Sequence, residues 1–148
     1  NYDASSWESL FENAPRVVRQ LPCQILGGDI SDEMVLKARR NLRNFSFGRF
    51  VNISSTSFDQ LKVEPPVFII TNPPYDHRLS ADVEELYGQI GSWLKHKMAP
   101  STACIISSSE EGFNAIGLKA SLKRQVFNGD LDCEYRKYEL FEGKKALH

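Results

Sequence analysis

The pattern of hydrophobic and polar positions predicts strands and helices that alternate along the chain. Short apolar runs bounded by glycine, proline or polar clusters predict strands, and apolar residues repeated every three or four positions predict amphipathic helices. Predicted strands begin near residues 23, 49, 67, 103, 122 and 131, and predicted helices cover residues 1–19, 31–45, 80–97 and 109–116. This order of elements is typical of an α/β fold.

One apolar run, residues 67–70, is followed directly by Thr71, Asn72 and two prolines. Its β-branched and aromatic residues predict a short strand buried on both faces. Pro73 and Pro74 end that strand because neither can donate to a sheet ladder, and they push Asn72 towards an extended conformation. Since ligands of open α/β sheets bind at the carboxyl ends of the strands, this loop is a candidate site.

The loop offers mainly hydrogen-bond acceptors. Its prolines leave carbonyls without N–H groups, Asn72 adds a side-chain oxygen, and Tyr75 adds an aromatic face. Such a loop suits a planar NH2 donor, as on adenine, guanine or glutamine. Holding the hydrogens of the amine would aim its lone pair at an electrophile, which is catalysis by positioning. The alternative is a proline turn that only ends the strand, and we assign no chemistry to the nearby Pro65-Pro66 pair.

Asp29 is a second candidate, because it follows a predicted strand and precedes a helix that Ser31 is predicted to cap. An acid just past a strand can accept both hydroxyls of a ribose, as in dinucleotide-binding folds. Alternatively, Asp29 only favours the helix N-terminus electrostatically. The residues alone leave both interpretations open.

Three other elements carry specific predictions. In the first helix, Ser5 or Ser6 is predicted to be the cap and Trp7 to pack in the core. Two glycines in the helix at residues 80–97, Gly88 and Gly91, indicate close packing. Between the last two strands, Asn128-Gly129 predicts a hairpin with a type I′ turn.

Composition limits the choice of function. The 148 residues suffice for one domain with a hydrophobic core. A formal net charge of −1 gives no overall attraction to nucleic acid, so an RNA contact must come from a local patch or another domain. No apolar run is long enough for a membrane span. Cys23, Cys104 and Cys133 are unclustered and lie in predicted strands, so we predict reduced core cysteines in a cytoplasmic protein and no metal site.

Two motifs resemble a known family. Thr71-Asn72-Pro73-Pro74-Tyr75 resembles the Asn-Pro-Pro-Tyr motif of class I S-adenosylmethionine-dependent amino-methyltransferases. Arg78-Leu79 matches the Arg-Leu that comes shortly after this motif in the THUMP-associated guanine-N2 RNA methyltransferases. Asp76 and His77 depart from the Gly-Glu of that family. The segment at residues 127–133, Phe-Asn-Gly-Asp-Leu-Asp-Cys, is similar to its Tyr-Asn-Gly-x-Leu-Glu-Cys ending.

The resemblance implies a Rossmann-like sheet of seven strands, in the order 3-2-1-4-5-7-6 with the last strand antiparallel. Matched to that order, the chain lacks strand 1 and the glycine-rich loop that holds the methionine part of the cofactor. We therefore expect residues 1–148 to be the C-terminal portion of a single methyltransferase catalytic domain. An upstream segment or a partner chain is expected to complete the sheet, because an open central edge is prone to aggregation.

The resemblance also implies roles for individual residues. Asn72 and the Pro73 carbonyl would hold the target amine in a loop shaped by Pro74, and Tyr75 would stack on the base. Arg78 would meet an RNA phosphate, with a surface salt bridge as the alternative. The residues implied for S-adenosylmethionine are Asp29 at the ribose, with Ile30, Ser57, Phe58 and Asn72. The family has an acid where Ser57 falls, and a core position is an alternative for Phe58.

These inferences lead to one predicted function. We expect an enzyme that uses S-adenosylmethionine to methylate the exocyclic N2 amine of guanine in RNA, with ribosomal RNA as the substrate. Adenine-N6 and protein-glutamine methylation are alternatives that share the Asn-Pro-Pro-Tyr motif. A degenerate domain with only an RNA-binding or scaffold role is the alternative from a different class.

Overall fold

A computed structural model of the chain describes residues 3–13, 23–74 and 80–143. These residues divide into two compact units, Asn1–Leu61 and Lys62–His148. The predicted strands and helices are found in these units, with boundaries shifted by a few residues. The end of the first predicted helix, residues 14–19, lies outside the described residues. Each unit has its own sheet.

The first unit contains a parallel pair of strands with a helix between them. Its elements are α1 (Ala4–Asn13), β1 (Ile25–Asp29), α2 (Asp32–Leu42) and β2 (Val51–Ser55), with short 3-10 turns at Ser46–Phe50 and Phe58–Gln60. The strands pair in register from Ile25 opposite Val51 to Asp29 opposite Ser55. The predicted cap of α2 is confirmed, because the Ser31 hydroxyl accepts a hydrogen bond from the Met34 N–H at 3.3 Å.

The second unit is a four-stranded mixed sheet. Its elements are β3 (Phe68–Thr71), α3 (Ser80–Lys97), β4 (Thr102–Ser107), α4 (Glu110–Ala115), β5 (Leu122–Asn128) and β6 (Leu131–Glu139). The strand order is β3-β4-β6-β5, in which β3 and β4 are parallel and β6 is antiparallel to β4 and to β5.

The neighbours within each sheet agree with part of the predicted order. Strands 2 and 3 of that order are adjacent here as β1 and β2, and strands 4, 5, 7 and 6 follow one another as β3, β4, β6 and β5. The complete order, with a further strand between the two sheets, stays a prediction.

Helices α3 and α4 cover one face of the four-stranded sheet. Ala103, Ile105 and Ser107 alternate onto this face and are fully buried. The Tyr87 hydroxyl of α3 lies 2.6 Å from the Ser107 hydroxyl. A Cβ atom added to Gly91 of α3 would lie 2.0 Å from the Ile116 carbonyl oxygen, so the two helices approach backbone to backbone there. The close packing predicted for Gly91 is confirmed.

The predicted burial of β3 on both faces is wrong. Phe68 and Ile70 are 63% and 73% exposed, because they alternate onto the face opposite α3 and α4. Gly88 also differs from the prediction, since a Cβ atom there would meet nothing nearer than 3.9 Å.

The first helix differs from its prediction in two ways. It begins at Ala4, and the cap is Asp3, which accepts hydrogen bonds from the Ser5 N–H at 3.1 Å and from the Ser5 and Ser6 hydroxyls. The Ser6 hydroxyl is the main cause of the lowered pKa of Asp3, and Ser5 adds to it. Trp7 is 57% exposed and therefore not in the core.

The hairpin turn also differs from the predicted type. Asn128 pairs with Leu131, so the two loop residues are Gly129 and Asp130. Of these two loop residues, only Gly129 has a positive φ, +62°. Among the described residues, positive φ values occur only at glycines. Glycine at the first loop position is the signature of a type II′ turn, whereas type I′ needs two positive φ values.

The three cysteines are free thiols in different environments. Cys104 of β4 and Cys133 of β6 are buried, as predicted, but Cys23 lies before β1 and is exposed. Among the described residues, no group of three or more His, Cys, Asp or Glu side chains is placed to hold a metal ion. Among the described residues, no helix has the length and hydropathy needed to span a membrane.

Candidate active site

The carboxyl end of β1 places Asp29 beside the start of α2. Its Oδ1 atom accepts a hydrogen bond from the Ser31 N–H at 2.7 Å, and its backbone carbonyl accepts one from the Thr56 N–H at 2.9 Å. The side chain is exposed, and Oδ2 has no hydrogen-bond partner among the described residues. One carboxylate oxygen therefore supports the turn into α2, and the other is available to a ligand.

Three other predicted cofactor residues lie at the same edge of the first-unit sheet. Ile30 follows Asp29 and is 82% exposed. Ser57 and Phe58 follow β2, whose last residue pairs with Asp29. The Ser57 hydroxyl donates a hydrogen bond to Asp59 and lowers the pKa of that carboxyl, with a smaller contribution from Gln60.

This edge fits the adenosine part of S-adenosylmethionine. The free Oδ2 of Asp29 can accept ribose hydroxyls, and exposed Ile30 offers an apolar surface to an adenine ring. Ser57 keeps its lone pairs for an adenine amine, because its own hydrogen is donated to Asp59. These three chemistries lie at the carboxyl ends of two paired strands, β1 and β2.

The Asn72-Pro73-Pro74 loop lies at the carboxyl end of β3. Thr71 pairs with Ile105, so Asn72 and Pro73 follow at the level at which Ile106 and Ser107 end β4. Pro73 is buried, which fixes the loop, whereas Asn72 and Pro74 are exposed. The Asn72 side chain has no hydrogen-bond partner among the described residues, so its amide oxygen is available as an acceptor.

The remaining predicted site residues cannot be placed. Residues 75–79 lie outside the described residues. They include the predicted site residues Tyr75 and Arg78 and also Asp76, His77 and Leu79. The structure brings together Asp29, Ile30, Ser57 and Phe58 in the first unit and Asn72, Pro73 and Pro74 in the second.

Sequence reasoning missed a buried polar network at the carboxyl edge of the second sheet. The Ser107 hydroxyl, at the end of β4, meets the Tyr87 hydroxyl at 2.6 Å and accepts from the Ser109 N–H at 3.0 Å. Ser109 in turn caps α4 by accepting from the Gly112 N–H at 2.9 Å. The signal was the run of three serines, residues 107–109, directly after a buried strand. This network attaches α3 and α4 to the sheet at the level of Pro73.

Comparisons with known proteins identify the family and the fold of the chain. The family model described as RMKL-like, methyltransferase domain matches residues 6–137. The ribosomal RNA large subunit methyltransferase K/L of Shewanella sp. (strain ANA-3) is 32% identical over 148 residues, which cover 94% of this chain and 20% of that protein. The chain thus spans about one fifth of the length of that relative.

Solved structures show the same fold. A possible methylase from Clostridium difficile 630 superposes with a TM-score of 0.79 and 27% identity, over 97% of this chain and 39% of that one. SMU.472, solved in complex with SAH, gives a TM-score of 0.76 at 24% identity, also over 97% of this chain and 39% of that one. The family match and these structures confirm the predicted fold of an S-adenosylmethionine-dependent methyltransferase.

The family match at residues 6–137 includes the ends of β1 and β3 that carry Asp29 and Asn72. The chain therefore belongs to the RMKL-like methyltransferase domain family.

Proposed function

We propose that the chain is the cofactor- and base-binding part of an enzyme that methylates the N2 amine of guanine in ribosomal RNA. The observation that carries the proposal is the loop after β3, where an exposed asparagine amide without a partner among the described residues precedes two prolines. This arrangement provides acceptors for an amine and no competing backbone donor at Pro73 or Pro74.

The loop would act by alignment. Asn72 and the Pro73 carbonyl accept the two hydrogens of the amine, so the nitrogen lone pair points at the methyl group. When bound, S-adenosylmethionine would supply that methyl group from its sulfonium sulfur and leave as a neutral thioether, and the methylated amine would release one proton to water. No strong general base is needed, because attack on a sulfonium methyl is limited mainly by alignment. Tyr75 stacks on the base, which must first leave its own stack at a cost of a few kcal/mol.

The first unit would hold the cofactor. Asp29 would accept the ribose hydroxyls through Oδ2, and Ile30 and Phe58 would offer apolar surface to the adenine ring. Ser57 accepts the adenine amine. Ser57 carries no charge, so it holds that amine more weakly than the acid found there in the resembling family.

The choice of guanine and of ribosomal RNA rests on two supports. Arg78-Leu79 and the Asn-Gly-x-Leu-x-Cys tail resemble the guanine-N2 enzymes, and the relative from Shewanella is named as acting on large-subunit ribosomal RNA. Arg78 would meet an RNA phosphate next to the flipped base.

A further strand would complete the sheet. Among the described residues, β1 pairs only with β2 and β3 only with β4, so each has an edge without a backbone partner. The strand, with its glycine-rich loop, would come from an upstream segment or a partner chain.

Substitution of Asn72 tests the proposal. Asn72→Ala in the full-length protein should lower methyl transfer to RNA by about a hundredfold or more, because misaligned reactants lose the advantage of positioning. Its affinity for S-adenosylmethionine should stay within a few-fold of the unaltered protein. Asn72→Asp keeps an acceptor oxygen and should retain partial activity. The readout is nucleoside mass spectrometry for N2-methylguanosine.

Three results would change the assignment. An N6-methyladenosine product would make the enzyme an adenine methyltransferase, and a methylated glutamine would make it a protein methyltransferase. Full activity of Asn72→Ala would remove the loop from the chemistry.

A further inference from the structure

The β5–β6 hairpin extends past the carboxyl edge of the four-stranded sheet. β4 ends at Ser107, which pairs with Glu134, whereas β6 begins at Leu131 and β5 ends at Asn128. The hairpin tip therefore projects about 10 Å beyond β4, at about 3.3 Å per residue. Asn72 follows β3 at this same edge. The tip thus stands beside the side from which a substrate would reach the Asn72 loop.

One face of the hairpin carries an exposed row of three different side chains. Lys123, Gln125 and Phe127 alternate onto the same face of the edge strand β5, and all three are exposed. Phe127, in the projecting part, is 75% exposed. The row offers a cation, an amide and an aromatic ring at intervals of about 7 Å.

Charges are distributed unevenly along this face. Asp130 lies in the turn and Asp132 lies directly opposite Phe127, so the tip repels phosphate but can accept hydrogen bonds from base amines. Towards the other end, no described carboxylate lies within 4.0 Å of Lys123, and Arg136 opposite it is paired with Glu134. Lys123 is therefore available to a phosphate.

We infer that this face binds a nucleotide that flanks the methylated one, with Phe127 stacked on its base and Lys123 at the RNA backbone. Phe127 lies three strand spacings from β3, about 14 Å, and three residues, about 10 Å, further along than Asn72. That separation is too large for the target base itself. Stacking suits a flanking base because every base has a π-face. The inference rests on the proposed RNA substrate.

An ordinary edge strand explains only part of the row. Lysine on an edge strand is a common device against sheet-to-sheet pairing, so Lys123 alone would carry little weight. Phe127 does not protect the edge in this way, because an exposed aromatic ring on an edge strand promotes association. Its position beyond β4, at the substrate edge, is what favours a base as its partner.

Binding of a short fluorescein-labelled single-stranded RNA of mixed sequence to the full-length protein tests the inference by anisotropy. Phe127→Ala should raise Kd about fivefold to a hundredfold, the range expected for loss of one stacked base. Phe127→Trp should restore binding, and Phe127→Leu should not, because leucine is apolar but has no ring. Lys123→Gln should reduce the slope of log Kd against log salt by about 0.7, the value for one phosphate on a single strand.

Matched controls lie at the opposite edge of the same unit. Phe141→Ala replaces an exposed phenylalanine beyond the end of β6, and Lys97→Gln replaces an exposed lysine at the last position of α3. Both should leave Kd unchanged. Thermal unfolding should give equal Tm values for Phe127→Ala and the unaltered protein. If Tm falls, Phe127→Leu and Phe127→Trp become the comparison, since both fill much of the same volume.

The outcomes separate this inference from the proposed function. Methylation of RNA by the unaltered protein, with unchanged Kd for Phe127→Ala, would overturn the hairpin role and keep the function. Equal binding by Phe127→Leu and Phe127→Trp would overturn base stacking. Absence of both RNA binding and RNA methylation in the unaltered protein would overturn both.

Discussion

Asp29 has two tasks available to its two carboxylate oxygens. Oδ1 accepts the Ser31 N–H at 2.7 Å and so belongs to the turn that starts α2. Oδ2 has no hydrogen-bond partner among the described residues, and the side chain is exposed. The helix-supporting role and the proposed ribose-binding role are therefore compatible, and substitutions can separate them.

We expect Asp29→Asn to separate the two roles. Asparagine keeps an oxygen for the Ser31 N–H but loses the charged acceptor, so Tm should change little. Affinity for S-adenosylmethionine in the full-length protein should fall by about 1.5–3 kcal/mol, the range for hydrogen bonds to a charged group. That loss corresponds to about a tenfold to hundredfold increase in Kd. Calorimetric titration measures it.

Asp29→Ala serves as the comparison for this prediction. It should reduce affinity similarly and also lower Tm, because the turn loses its acceptor. If both variants bound the cofactor with unaltered Kd, Asp29 would have only the structural role.

At the scale of one element, α3 contains two glycines with different surroundings. A Cβ atom on Gly91 would lie 2.0 Å from the Ile116 carbonyl oxygen, whereas one on Gly88 would meet only the Ala115 carbonyl oxygen at 3.9 Å. The same substitution therefore probes helix packing at one position and helix propensity at the other.

We expect Gly91→Ala to destabilise the protein by about 1–3 kcal/mol, because α4 must move away from α3. Gly88→Ala, the matched control, should be neutral or stabilising by up to about 1 kcal/mol, since alanine favours the helical backbone. Urea unfolding gives both values. Equal effects at the two positions would contradict the close approach of the helices.

The elements themselves were largely predictable because their signals are local. Apolar patterns indicated α2, α3 and β4, and Ser31 identified the start of α2. The Asn128-Gly129 pair indicated the β5–β6 hairpin. The turn type was missed because the choice between Asn128-Gly129 and Gly129-Asp130 as loop residues depends on register across two strands. Asp3 was missed as a cap because three neighbouring polar residues could each have served.

The candidate site was predictable where it followed a strand end. Asp29 and Asn72 were identified in this way, and both lie at carboxyl edges. The Tyr87–Ser107 contact was not predicted, because it joins residues 20 positions apart through tertiary packing. Exposure of Phe68 and Ile70 was not predicted either, since a run of apolar residues does not show what covers each face.

At the scale of the whole molecule, the edges of β1 and β3 that have no partner strand among the described residues lead to an expectation about cofactor affinity. We expect residues 1–148 alone to bind S-adenosylmethionine weakly or not at all, because the proposed strand 1 and its glycine-rich loop hold the methionine part. A chain extended upstream should bind it tightly. Calorimetry on both chains is the measurement, and tight binding by residues 1–148 alone would exclude the proposed strand.

The cysteines divide the molecule into an accessible part and a protected part. Cys23 is exposed in the first unit, whereas Cys104 and Cys133 are 2% and 1% exposed within the four-stranded sheet. The Tyr135 hydroxyl donates to the Cys104 sulfur at 2.8 Å, and this bond, with burial, raises the pKa of Tyr135. Two thiols therefore report on one unit and the third on the other.

Alkylation of the three cysteines can therefore measure local opening of the structure. Iodoacetamide should add one label quickly, at Cys23, and two more only as fast as the four-stranded sheet opens. Mass spectrometry of intact protein counts the labels, and the ratio of slow to fast rates gives the opening free energy of the second unit without any denaturant. Three rapid additions would show that the four-stranded sheet opens readily. If added cofactor or RNA slowed the second and third additions, that ligand would stabilise the second unit.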